Sequence, residues 1–191
     1  RGRNAVGRSA IFVWHFSEGI TIQRNRIING DRGITLGLSG DISGYHVNGA
    51  IVRNNFIKLR SLDGLSSDSG IECWTVNNIR IYNNSVWRSE NPNGRGIRFI
   101  ANVHNTQMVN NLVRGRLVFD GGISISRNEN NLSGDLDAGM FLNPDTCDLR
   151  LTPQAQSALN AGLVLSEVKD DFGLSPRDLT PNIGASEEVV S

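Results

Sequence analysis

Apolar residues along this chain fall in short period-2 pairs that are broken repeatedly by one or two asparagines. The stretches IQRNRII (22–28), VRNNFIK (52–58), IYNNSVW (81–87) and MVNNLVR (108–114) share the pattern, and ISRNENN (125–131) carries it in degraded form. Aligned on the shared amide, Asn25, Asn55, Asn84, Asn111 and Asn128 are 30, 29, 27 and 17 residues apart, which are solenoid periods. Five positions upstream stand Ile20, Ala50, Ile79, Thr106 and Ile123; three upstream stand Ile22, Val52, Ile81, Met108 and Ile125. That alternation predicts a short strand with one buried face. Ile27, Ile57, Val86 and Val113 follow two residues after the amide, so the chain bends at the asparagine and then points inward again. An inward amide at a bend can bond the amides of the coils above and below, and asparagine tolerates the left-handed backbone of a sharp corner.

A second strand family alternates with the first: AIFVWH (10–15), GITLGL (33–38), GIECW (70–74), GIRFI (96–100) and GRLVF (115–119). Gly33, Gly70 and Gly96 precede these strands and mark a tight turn into each. The inserts SGDISGYHVNG (39–49) and KLRSLDGLSSDSG (58–70) carry the differences in repeat length. Short strands at this period, without amphipathic helices, predict an all-β fold, a single-stranded right-handed parallel β-helix in which each coil buries its apolar side only against its neighbours. A leucine-rich repeat needs a leucine-asparagine consensus that this chain lacks. Residues 1–131 are expected to form the coils, and 132–191 a tail of the same domain that wraps and caps the last coil. LTPQAQSALNAG (151–162) is the one short helix expected in that tail. At the other end RGRNAVGRSA runs directly into a strand. Residues 1–191 therefore read as the C-terminal part of a longer solenoid, or as a chain whose first coil another chain covers.

Composition narrows the partners. The 191 residues are 38% apolar with a formal net charge of zero and no basic run, which removes the electrostatic case for nucleic acid or an anionic membrane surface. No window approaches a membrane span, and the N-terminal stretch has no apolar signal-peptide core. Cys73 and Cys147 have neither disulfide-framework nor metal-site spacing and read as small buried hydrophobes.

With the repeats in place, the sequence resembles the secreted bacterial right-handed parallel β-helix proteins, the broad pectate-lyase-like superfamily. NRIINGDRGITLG (25–37), IRIYNNSVW (79–87) and the tail carry the likeness; the tail reads MFLNPDTCDLRLTP (140–153), SALNAG (157–162), Asp170 to Arg177 and PNIGASE (181–187). The resemblance implies a secreted, periplasmic or cell-surface setting. It also implies a ligand that is an acidic polysaccharide or oligosaccharide, cleaved by β-elimination in a lyase or merely bound in a non-catalytic module. Glycoside hydrolase and epimerase activities also occur in such folds. The lyases' acidic calcium cluster with paired lysine and arginine has no residue-by-residue match here.

Candidate chemistry sits on the second strand family. Outward positions there form the columns Phe12, Thr35, Glu72, Arg98 and Trp14, Gly37, Trp74, Ile100. With coils about 4.8 Å apart, Trp14 and Trp74 would flank an open notch about 10 Å wide above Gly37, a sugar-stacking arrangement. Glu72 and Arg98 on adjacent coils form either a ladder ion pair or a functional set. In the second case Arg98 neutralises a uronate carboxylate and Glu72 acts as acid, base or cation ligand. His15 at the groove edge is the further base candidate, with His104 and the Tyr45–His46 pair behind it. Asp31, Asp68, Asp41 and Asp63 lie in turns or inserts where oxygen-rich loops hold calcium, though no loop consensus is present.

Overall fold

The structure, a computed structural model, describes residues 8–190 except 41, 42, 60, 63, 64 and 67, and the backbone alone of 61, 62, 65 and 66. Asp41, Asp63 and the N-terminal residues 1–7 lie outside the described residues. The chain is an all-β parallel solenoid with three sheets per coil, each five strands deep along its main path. The first sheet stacks Ser9–Val13, Arg32–Leu36, Ile71–Asn77, Arg95–His104 and Arg116–Phe119. The second stacks Thr21–Gln23, Ile51–Arg53, Arg80–Tyr82, Gln107–Val109 and Arg127–Glu129; the third stacks Arg26–Gly30, Phe56–Leu59, Ser85–Arg88, Leu112–Arg114 and Leu132–Gly134.

The period-2 pairs become inward columns. Ile11, Ile34, Ile71, Ile97 and Leu117 are register partners in the first sheet, Ile22, Val52, Ile81 and Met108 in the second, and Ile27, Ile57, Val86 and Val113 in the third. These columns meet in one apolar core whose middle coils are wholly buried, so each coil gains its hydrophobic stabilisation only by stacking. Both cysteines are free and buried, and burial pushes the Cys147 thiol up to about 11.

At the corner between the second and third sheets the amides form the expected ladder. Asn25 Nδ2 donates to Asn55 Oδ1 (3.0 Å), Asn55 Nδ2 to Asn84 Oδ1 (2.8 Å) and Asn84 Nδ2 to Asn111 Oδ1 (3.0 Å). Two details differ from expectation. The fifth rung is Asn131, which accepts from Asn111 Nδ2 at 2.8 Å, whereas Asn128 occupies the apolar column beside Met108. The left-handed residue is the one before each rung: Arg24, Asn54, Asn83, Asn110 and Asn130 have φ between 48° and 58°. Ladder amides face inward, and the turning residues face out.

The three glycines that open first-sheet strands also have a different cause. None of Gly33, Gly70 and Gly96 has positive φ; they are small because the third sheet crowds them. A Cβ on Gly96 would lie 2.1 Å from Val113 Cγ1, and one on Gly70 2.5 Å from Val86 Cγ1.

The tail runs along the flank of the solenoid, past all the coils. Its residues Met140, Phe141, Leu149, Leu151 and Ile183 pack with the outward Phe56, Trp87 and Leu112 of the third sheet, and Phe172 stacks on Phe56 at 4.0 Å. Leu163, Leu165 and Val168 cover Tyr82 and Val109 of the second. It laces to the turning residues: Asn110 Nδ2 donates to Leu163 O (2.8 Å), Asn54 Nδ2 to Asp170 O (2.7 Å), and Arg24 pairs with Asp170 at 2.9 Å. Residues 151–162 form successive turns instead of a helix, with one i to i+4 bond, from Leu159 N to Ala155 O. Among the described residues no helix is long and apolar enough to cross a membrane.

Candidate functional site

Because the tail covers the second and third sheets, the first sheet is the face left to solvent. Its outward column has the expected register: Phe12, Thr35, Glu72 and Arg98 are successive Cα partners, followed by Val118. The side chains, however, do not pair as the column suggests. Arg98 turns to Asp120, donating Nε to Oδ2 at 2.8 Å and approaching it with Nη2 at 2.5 Å. Glu72 has no exposed surface; Oε1 accepts from Trp74 Nε1 at 2.7 Å and Oε2 from Ser69 Oγ at 3.2 Å. Arg32 Nη1 stands 3.9 Å from Glu72 Oε1.

The tryptophan notch is not formed. A bulge after Cys73 shifts Trp74 into register with Ala101, and Gly37, at φ 81°, is pressed on the Trp74 carbonyl, which a Cβ would approach to 1.7 Å. Trp14 instead stacks on Phe12, 5.9 Å away and nearly parallel, and touches His46. What opens on this face is a groove of about 730 Å³ lined by Phe12, Thr35, Leu38, Glu72, Trp74 and Arg32 among others. Phe12 and Trp74 are its aromatic walls. Glu72 fixes the indole edge of Trp74 from below, so the ring is held in one orientation before any ligand arrives. His15 lies outside this lining, with its backbone N–H 3.4 Å from His46 Nδ1 and its ring against Phe16. His104 is also outside and meets Tyr45 edge-on, and His46 is buried.

Asp68 lies behind the groove and holds the Arg32 that lines it. Its Oδ2 accepts from Arg32 Nε (2.9 Å) and Nη2 (2.6 Å), and its Oδ1 from Arg95 Nη1 (3.0 Å). Burial pushes this carboxyl up, but the bonds and charges of Arg32 and Arg95 outweigh it and hold Asp68 below the ordinary range. Asp31 and Asp68 do sit on adjacent coils, joined by Asp68 N–H to Asp31 O. Arginines, however, fill the Asp68 coordination sphere, and no group of three or more metal-ligating side chains occurs among the described residues.

Arg32, Asp68 and Arg95 escaped sequence reasoning as a set, although a signal was present. Arg32 and Arg95 each precede the crowded glycine that opens a first-sheet strand, and so repeat at one position of the coil. No protein-family model matches the chain, and neither the curated proteins nor the solved structures contain a match.

Proposed function

We propose that the first-sheet face binds an acidic glycan, with a sugar ring stacked between Trp74 and Phe12 and a carboxylate held by Arg32. The observation that carries this reading is the buried Glu72 clamping Trp74 above the groove on the one face the tail leaves bare. An aromatic face suits the apolar face of a pyranose, and pre-orienting it removes an ordering cost from binding. A secreted or cell-surface setting, which the family resemblance implies, accords with such a ligand.

β-Elimination on a uronate is the second reading, favoured by the closeness of Arg32 to Glu72, a cation beside a carboxylate. It needs a base reaching the proton next to the sugar carboxylate. Glu72 is bonded below the surface, Arg98 is tied to Asp120, and His15 lies outside the groove. Binding without turnover is therefore the better-supported chemistry.

Calorimetric titration with uronate oligomers tests both. Trp74→Ala should weaken binding by about 1–3 kcal/mol, the loss of one aromatic anchor, while the wild type releases no unsaturated product absorbing in the ultraviolet. Undiminished binding in Trp74→Ala and Phe12→Ala removes the groove as the site. Appearance of the unsaturated product reinstates the lyase.

A further inference from the structure

Across the Arg32–Asp68–Arg95 bridge from the groove lies a second, polar cavity of about 180 Å³. Among the described residues, Arg88, Arg95 and Arg116 line it together with one carboxylate residue, Asp68. That carboxylate is already committed, one oxygen to Arg32 and the other to Arg95. Arg88 is 2% exposed and donates Nη1 to the carbonyls of Asp68 (2.6 Å) and Arg95 (2.9 Å). Gly94 makes room for it, since a Cβ there would lie 2.5 Å from Arg88 Nε. Arg95 and Arg116 are direct register partners on adjacent parallel strands, and like charges opposite one another are destabilising unless something anionic joins them. Arg116 is exposed and has no side-chain partner among the described residues. Asn91 and Asn93 complete the polar lining.

We propose that this cavity is a second binding subsite, one that takes a single oxyanion group: a carboxylate or sulfate borne by the polymer in the groove, or a free inorganic oxyanion. Guanidinium forks match carboxylate and tetrahedral oxyanions alike, in paired N–H···O bonds. Arg95 and Arg116, opposite one another beside a carboxylate that is already engaged, supply the attraction. Arg88 is fixed by backbone carbonyls and Arg95 by Asp68, so the ligand needs to order only Arg116. Only the polymer-borne source rests on the glycan reading; the oxyanion chemistry stands by itself.

Titration of the intact protein with inorganic sulfate at low ionic strength, followed by the arginine Nε–H resonances, tests the proposal. Saturable shifts are expected at Arg95 and Arg116, and Arg116→Gln should weaken them by about 10-fold, the loss of one charge-assisted contact. Trp74→Ala should leave the sulfate titration unchanged. A uronate trisaccharide weakened by both substitutions identifies the polymer as the source. Sulfate binding that depends on Arg116 beside a trisaccharide that does not bind at all identifies the free ion, and removes the glycan reading while keeping the subsite. Absence of a saturable response to sulfate, phosphate and trisaccharide alike overturns the proposal. An unchanged affinity in a folded Arg116→Gln protein overturns it too.

Discussion

The solenoid has two sides that use the same stacked strands for opposite ends. On the flank formed by the second and third sheets, outward Phe56, Trp87, Leu112, Tyr82 and Val109 are covered by the tail, and the polar turning residues are bonded by its backbone and by the side chains of Asp170 and Arg177. Arg26 donates to the Cys147 and Thr146 carbonyls, and Arg177 reaches Asn54 Oδ1, Asp170 O, Asn182 O and Gly184 O while pairing with Glu187. On the first-sheet face Phe12 and Trp14 remain 45% and 47% exposed, Arg32 and Arg95 share the Asp68 carboxylate, and Arg116 is unpaired among the described residues. Stacking alone therefore does not decide which face becomes structural. The tail decides it, converting one flank into core and leaving the other with unspent donors and aromatic faces, which are the raw material of binding.

The comparison breaks most readily at Arg177. Its side chain is 4% exposed, and removing one partner of a buried pair costs about 3–5 kcal/mol. Arg177→Ala should lower the chemical unfolding free energy by that order and open residues 163–187 to limited proteolysis, while the groove still binds its ligand. Simultaneous loss of groove binding would show that the two sides are one cooperative unit. Asn84→Leu should cost somewhat less, about 1–3 kcal/mol through unsatisfied buried neighbours. Asn84 Nδ2 serves Val52 O, Tyr82 O and Asn111 Oδ1, and its own Oδ1 accepts from Asn55. An unfolding midpoint unmoved by Asn84→Leu would remove the ladder as a source of stability.

The fold was legible because its cause is local and periodic. An apolar pair, a turning residue and an inward amide recur every coil, so alignment of one word exposes the strands, the corner and the first-sheet register. The fifth rung was misassigned because NENN offers three asparagines, Asn128, Asn130 and Asn131. The doublet Asn130-Asn131 matches Asn54-Asn55, Asn83-Asn84 and Asn110-Asn111, and the doublet is the signature, since the first member turns and the second bonds. The site was less legible for a different reason. Register placed Glu72 beside Arg98 correctly, but the reach of a side chain is not periodic: Arg98 finds Asp120 and Glu72 finds Trp74. The displacement of Trp74 from the Trp14 column follows from a one-residue bulge and left-handed Thr75 at φ 49°, which leave no mark in the hydrophobic pattern. The wrapping of the flank depends on contacts more than 100 residues apart along the chain, such as Asn54 with Asp170, and no local word encodes them.

The smallest expected effect is also the sharpest discriminator, because one carboxyl from each side, Asp68 and Glu187, should titrate in opposite senses. Asp68, beside the groove, is held below the ordinary carboxylate value of 3.8, so its contribution is present above that value and is lost as pH falls through its lower folded value. Glu187, in the flank, is pushed by burial up to about 7 against the pull of Arg177, from an ordinary 4.5. The folded chain therefore holds that proton where the unfolded chain has released it. Its contribution is complete below about 4.5 and is lost as pH rises through about 7. Urea unfolding midpoints between pH 3 and pH 8 should accordingly lose part of their acid limb in Asp68→Asn, the rest remaining with Asp148 and Glu167, and lose their decline toward neutrality in Glu187→Gln. The slopes carry the information, since each substitution also shifts the absolute midpoint by removing hydrogen bonds. If both variants flatten the same limb, the wrapped flank and the bare face share one electrostatic environment, and the division between them fails.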